Sequence, residues 1–394
     1  MKNQFDELIE RRDSGCLKWD ASTFTQSAMY CESRDIIPMW IADMDFRTPT
    51  FVTDALSQRL EHPVFGYQFT PESYFSSIAQ WQKKRYAQEG VGRENVAYQN
   101  SVLGGVASAL IAFSQPGDHI LIHQPTYIGF QQTIQNLGRN SALSPLSLND
   151  KGIFSMDLAD MEAQIKNKKI PVFIFCSPHN PTGRVWDKEE LEQVVALCEK
   201  YGVKIISDEI WADFILDSQK KHIPTTSINE KAKEITISLY APSKTFNLAG
   251  LVGAYSLCFN KSMNDRVQKV AVSSHYNMPN ALSVASSVAA FEQGEAWVED
   301  LLCYLRVNAS YFADAMNKIS GFSAYVQEAT YLMWVNVKDS PYSVDEIQQK
   351  LKSVGVLPSL GRDFYGETYL RFNIACPFSR IQDAAARISS VLGS

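Results

Sequence analysis

Between about residue 95 and residue 260 the chain alternates short runs that are apolar on both faces with segments of helical period. His119-Ile120-Leu121-Ile122, Val172-Phe173-Ile174-Phe175, Val203-Lys204-Ile205-Ile206 and Ile235 to Tyr240 are the clearest runs. Strands buried on both faces read this way, and a parallel sheet covered by helices buries its strands so. The spacing therefore predicts an α/β fold built on a central, mostly parallel sheet. One connecting helix is legible in detail. Asp187 and Glu190 form a capping-box pair, and Leu191, Val194, Val195 and Cys198 recur at i, i+3, i+4 and i+7 before Tyr201-Gly202 ends the segment. The next strand, Val203 to Ile206, delivers Asp208 at its carboxyl end, where open α/β sheets bind ligands.

After about residue 290 the texture changes. Glu295 to Asn317 reads as a long helix, followed by the strand-like Tyr331 to Val337 and Tyr369 to Ile374, which predicts a smaller α+β domain. At 394 residues the chain exceeds one typical core. The expected division is an N-terminal segment, residues 1–47, packing with the small domain, a large domain over 48–290 and the small domain over 291–394. Phe5, Leu8 and Ile9 within Met1 to Arg12 predict a short amphipathic helix rather than a signal peptide. A net charge of −6 argues against nucleic acid as the main partner, and no apolar run is long enough to span a membrane. Seven cysteines without a CxxC pair, in apolar surroundings, point to buried thiols in a reducing cytoplasm, with no metal site expected.

The chemistry lies in three segments. Lys244 sits in Ala241-Pro242-Ser243-Lys244-Thr245-Phe246-Asn247-Leu248-Ala249-Gly250, directly after the run ending at Tyr240. Upstream are the turn Asn180-Pro181-Thr182-Gly183 and the segment Ser207-Asp208-Glu209-Ile210. Each has an ordinary reading: a solvated lysine, a common turn, a capping aspartate. In series they resemble the pyridoxal-phosphate (PLP) signature of fold-type I aminotransferases and lyases, whose fold has a large domain around a seven-stranded-type sheet plus a smaller α+β domain. The resemblance implies that Lys244, with Ser243 before it, forms the imine with the cofactor. Asp208 would face the pyridine nitrogen, and Asn180 would donate to the phenolic oxygen. Tyr127 would stack on the ring, and backbone amides of Val102-Leu103-Gly104-Gly105, ahead of the helical run Val106 to Phe113, would hold the phosphate. Arg371, in Arg371-Phe372-Asn373-Ile374-Ala375-Cys376-Pro377, is the candidate clamp for a substrate carboxylate, because a guanidinium fork grips both oxygens.

A closer likeness covers nearly the whole chain. Phe5-Asp6-Glu7, Lys18-Trp19-Asp20, Pro38 to Phe46, Phe65-Gly66-Tyr67, Ser177 to Trp186, Ser243 to Gly250 and Arg371 to Pro377 resemble the MalY/PatB family of PLP-dependent C–S lyases. That resemblance implies α,β-elimination on L-cystathionine or a related cysteine S-conjugate, yielding thiol, pyruvate and ammonia. It also implies a homodimer in which Tyr67 of one subunit reaches the other's cofactor phosphate. Val252 stands where ordinary aminotransferases carry a phosphate-binding arginine, as in the lyases. Two positions depart from the family: Trp211 replaces the usual histidine near the phenolic oxygen, and Ser101-Val102-Leu103 lacks the usual Gly-Val-Val. An aminotransferase or a racemase on the same scaffold stays open as the alternative, and so does a PLP-binding regulator without turnover.

Overall fold

The computed structural model describes residues 3–20, 30–31, 35–150 and 152–393. Among them twelve strands follow in chain order: β1 (Ile37–Met39), β2 (Val96–Gln99), β3 (His119–Gln124), β4 (Asn140–Leu148), β5 (Phe154–Met156), β6 (Val172–Cys176), β7 (Lys204–Asp208), β8 (Thr236–Tyr240), β9 (Ala254–Leu257), β10 (Leu332–Asn336), β11 (Val356–Leu360) and β12 (Tyr369–Asn373). The chain divides into two compact units, one of residues 48–180 and 184–298, the other of residues 1–47, 181–183 and 299–394. No described helix is long and apolar enough to cross a membrane.

In the larger unit the sheet order is β2-β9-β8-β7-β6-β3-β4-β5. Strands β8, β7, β6, β3 and β4 are parallel to one another, and β9 runs antiparallel between β8 and β2. The eighth strand, β5, folds back antiparallel on the end of the long β4. Alternate side chains along one strand feed two separate cores. Ile120, Ile122, Ile174, Ile206 and Ile237 join Val106 and Leu110 on one face. Leu121, Phe173, Phe175 and Ile205 join Leu191, Val194 and Val195 on the other. Each such side chain gains about 1.5–3 kcal/mol by full burial, so neither face tolerates a polar register shift. The helix Lys188–Tyr201 has the Asp187–Glu190 capping box and ends on Gly202 at φ 69°, a left-handed conformation that glycine adopts without strain.

The smaller unit carries a sheet of order β1-β11-β12-β10. Two of these strands, β10 and β12, follow the alternating runs in the sequence; β1 and β11 do not stand out, because both contain proline. Pro38 lies on an edge strand, where the missing N–H costs no ladder bond. Pro358 sits where β11 changes partner, pairing through Met39 on β1, while pairing to β12 begins at Ser359. The long helix spans Glu295–Met316. The amphipathic helix expected over Met1 to Arg12 is not formed; the described part holds only the 3₁₀ turn Gln4–Asp6. Asn3 and Asp6 cap that turn reciprocally, Phe5 inserts against Phe46 and Tyr304, and Leu8 is left exposed.

Candidate active site

Four neighbouring parallel strands, β8, β7, β6 and β3, end on the same side of the large sheet. At or just beyond their carboxyl ends lie, in that order, Lys244, Asp208, Asn180 and Tyr127. Backbone bonds tie the ends together: Ser177 N–H donates to Asp208 O at 2.9 Å, and Glu209 N–H to Leu239 O at 2.9 Å. Side chains scattered through the sequence thus converge because the sheet is parallel.

Asp208 is buried, 3% exposed, and its side chain accepts one hydrogen bond, from Ile210 N–H at 3.1 Å. Burial pushes its carboxyl up to about 7, with the charge of Glu209 adding to the rise and the Ile210 N–H and Lys244 opposing it. The neighbouring Glu209 is buried as well but fully met. Its carboxylate accepts from Ser238 Oγ at 2.7 Å, Tyr240 OH at 2.5 Å and Thr225 N–H at 3.2 Å, and lies 2.7 Å from His222 Nε2. Burial would raise its pKa, yet these partners, His222 first, hold it below the usual carboxylate range.

Lys244 is half-buried in the one-turn helix Pro242–Thr245, beside half-buried Ser243. Its Nζ lies 5.8 Å from the centroid of the buried Trp211 ring. Phe246 anchors the turn by packing on Phe51, Trp81, Phe291 and Trp297. Tyr127 is the N-cap residue of the helix Ile128–Asn136, its ring 5.5 Å from Phe130. A Cβ on Gly129 would come within 2.6 Å of the Tyr127 ring and 2.9 Å of Leu103, so glycine lets Leu103 and Tyr127 close on one spot. Asn180 is buried.

The helix expected to begin at Val106 begins at Val102 instead, with Ser101 as N-cap accepting from Gly104 N–H at 3.1 Å. Val102 and Leu103 therefore form its first turn, where free backbone N–H groups favour an anion. Gly105 allows the helix to close on Leu239 of β8, which a Cβ would meet at 2.5 Å. Tyr276, which no motif singled out, sets its hydroxyl 2.5 Å from Ser101 Oγ.

Tyr67 lies in a segment without helix or strand and is 99% exposed. Arg371 belongs to the smaller unit, on β12 opposite Trp334 and Ser359. It is buried, donates from Nη2 to Trp40 O at 2.9 Å, and lies 4.2 Å from the Phe364 ring centroid.

Residues 34–388 match the model of the aminotransferase class I and II family. The chain belongs to that family. Cystathionine β-lyase PatB of Bacillus subtilis is 30% identical over 98% of this chain and 99% of its own length. The MalY protein of Escherichia coli is likewise 30% identical, covering 98% of each chain. Among solved structures, the PLP-bound C–S lyase of Staphylococcus hominis superposes with a TM-score of 0.89 at 30% identity, covering 100% of this chain and 99% of that one. The likeness to the MalY/PatB lyases that the motifs carry thus extends over the whole chain and its fold.

Proposed function

We propose that the protein is a PLP-dependent carbon–sulfur β-lyase that eliminates the thiol from L-cystathionine or a related L-cysteine S-conjugate. The observation that carries this reading is the pairing of Asp208 and Lys244 at the ends of adjacent strands, in a chain 30% identical to a cystathionine β-lyase throughout. The residues fit the cofactor on their own chemistry. A carboxyl as buried as Asp208, with one backbone donor, stabilises its charge only when a cation faces it, and a pyridinium nitrogen is such a cation. Lys244 supplies a primary amine one strand away, Tyr127 an aromatic face, and Ser101 to Leu103 a helix N-terminus for phosphate.

When bound, PLP supplies the electron sink that makes the substrate Cα–H bond acidic. The protein does the rest. Lys244 Nζ takes the Cα proton, so that the Cα–H pair is free to expel sulfur from the β-carbon. With the cofactor bound, Asp208 would stay ionised to balance the ring nitrogen, and Asn180 and Trp211 would be the residues that hold the phenolic oxygen. Ser243, with the backbone amides of Val102 and Leu103, would hold the phosphate. Arg371 grips the substrate carboxylate, which fixes the direction of the Cα–H bond. The released 2-aminoacrylate hydrolyses to pyruvate and ammonia.

In this reading the active species is a homodimer, with Tyr67 reaching the partner's cofactor phosphate. The exposure of Val64, Phe65, Tyr67 and Phe69 in one run supports a covered surface there. All seven cysteines are unpaired thiols, which suits a reducing cytoplasm. The test is incubation with a panel of cysteine conjugates and plain amino acids, following thiol, pyruvate and ammonia together. Equal amounts of the three without an added keto acid are expected; amino transfer to a keto acid without thiol release contradicts the lyase reading.

A further inference from the structure

One residue on the turn after β7 bears on the lysine without touching the reacting atoms. Asp213 is buried, and so is Thr245, the residue that follows Lys244. Thr245 Oγ1 donates to Asp213 Oδ2 at 2.8 Å. The other oxygen, Oδ1, is held by Arg85 Nε at 3.3 Å, and the Tyr86 hydroxyl also hydrogen-bonds Asp213. Arg85 and Tyr86 are the last residues of the helix Glu72–Tyr86. The lysine turn is a single helical turn, Pro242–Thr245, closed by backbone bonds from Phe246 N–H to Pro242 O at 2.9 Å and from Leu248 N–H to Ser243 O at 3.0 Å. A helix that short does not hold its own geometry in water. Its fixed points are Phe246 in the aromatic cluster and the Thr245 hydroxyl on Asp213.

Lys244 sits between those constraints and Trp211, which stands two residues before Asp213 on the same turn. We infer that Asp213 is a positioning residue for Lys244: by latching Thr245 to the end of the helix Glu72–Tyr86, it sets where the lysine amine stands for both of its tasks. Those tasks are bonding to the cofactor aldehyde and moving the substrate proton, and the inference rests on the function proposed above for Lys244. Proton transfer depends steeply on the approach of base to carbon, and a misplacement of about 1 Å can cost about 100-fold in rate. Asp208 is held separately, its backbone carbonyl by Ser177 N–H and its carboxyl by Ile210 N–H, so the latch acts on the lysine and not on the acid.

The experiment compares wild type with Thr245→Val, Thr245→Ser and Asp213→Asn. Cofactor-free protein is mixed with PLP and quenched with borohydride at timed intervals to give the rate of bond formation at Lys244. Loaded protein is then assayed in D₂O for exchange of the substrate α-proton, which does not require a leaving group. In Thr245→Val both rates should fall between about tenfold and 100-fold, while PLP affinity and KM stay within about twofold. The isotope effect with α-deuterated substrate should rise, because proton removal has become slower than the other steps. Thr245→Ser keeps the hydroxyl and should restore both rates; Asp213→Asn should reproduce the loss in milder form, and carries the test if Thr245→Val does not fold. Rates equal to wild type in Thr245→Val, or a loss that follows weakened PLP affinity with no change in isotope effect, would overturn the latch. A wild type that never bonds PLP at Lys244 would instead overturn the underlying function.

Discussion

Asp45 and Asp208 are equally buried, at 3% exposed, and titrate in opposite directions. In the smaller unit, Asp45 accepts from Arg11 Nη1 at 2.6 Å, Trp19 Nε1 at 3.0 Å and Lys18 Nζ at 3.1 Å. Burial would raise its pKa, but the charges of Lys18 and Arg11 and the Trp19 N–H outweigh it, and the group is held low. In the larger unit, Asp208 has one backbone donor, and burial prevails. Burial alone therefore marks neither residue as functional. A buried carboxylate whose charge is met by its own chain is architecture, pinning residues 11–19 to residues 43–45. One whose charge is unmet is shaped for a cation that the chain itself does not provide.

Substitution by asparagine should separate the two. Asp45→Asn strips the nearer counter-charge from Lys18, itself 1% exposed, leaving Asp43 at 3.6 Å, and should cost about 3–5 kcal/mol in urea unfolding at neutral pH. Its folded pKa is lowered, so the stability it contributes is present above the ordinary carboxylate range and is lost as pH falls through the folded value. The penalty should accordingly shrink in acid.

Asp208 carries the opposite sign. Its folded pKa of about 7 lies above the ordinary 3.8, so in cofactor-free protein its contribution is fully present below about pH 4 and lost as pH rises through about 7. Cofactor-free Asp208→Asn should therefore be more stable than wild type at pH 8, by up to about 4 kcal/mol, with the gain vanishing in acid. Added PLP should reverse the order, since only the wild type offers an anion to the ring nitrogen. A gain for both asparagine variants, or for neither, would break the comparison.

Arg371→Ala should raise KM for amino-acid substrates by about ten- to 100-fold, the loss of a charge-assisted contact of about 1.5–3 kcal/mol, while PLP binding is unchanged. An unchanged KM would place the carboxylate elsewhere. The smallest effect belongs to Trp211, whose ring lies 5.8 Å from Lys244 Nζ. Trp211→Phe keeps an aromatic face and should change turnover by less than about fivefold, as a contact worth about 0.5–1 kcal/mol implies. A larger loss would mean that the indole N–H, rather than the bulk of the ring, is what the site uses.

The central strands were legible because β6, β7 and β8 are short apolar-rich runs buried on both faces, and the helix Lys188–Tyr201 because its cap, stripe and terminal glycine are all local. Strands β1 and β11 were hidden by prolines that only their edge or partner-switching positions permit. The N-terminal helix was overread: the spacing of Phe5, Leu8 and Ile9 suits a helix, but Phe5 alone is buried, and the Asn3–Asp6 cap closes a single turn. Around the candidate site, Lys244, Asp208 and Asn180 stand in recognisable motifs. The shell that holds them does not, because Glu209 with His222 and Tyr240, Asp213 with Arg85 and Thr245, and Ser101 with Tyr276 pair residues far apart in the chain. Such pairs have no period and no fixed spacing, so only the folded chain reveals them.

Lys244 is proposed as the covalent seat of the cofactor, one strand from the acid that would meet its charge. Borohydride reduction of PLP-loaded protein, followed by peptide mapping, tests it most directly. One pyridoxyl adduct per chain is expected, on Lys244, with Lys244→Ala losing the adduct and lowering turnover by about 1,000-fold or more. An adduct on another lysine, or full turnover in Lys244→Ala, would contradict it.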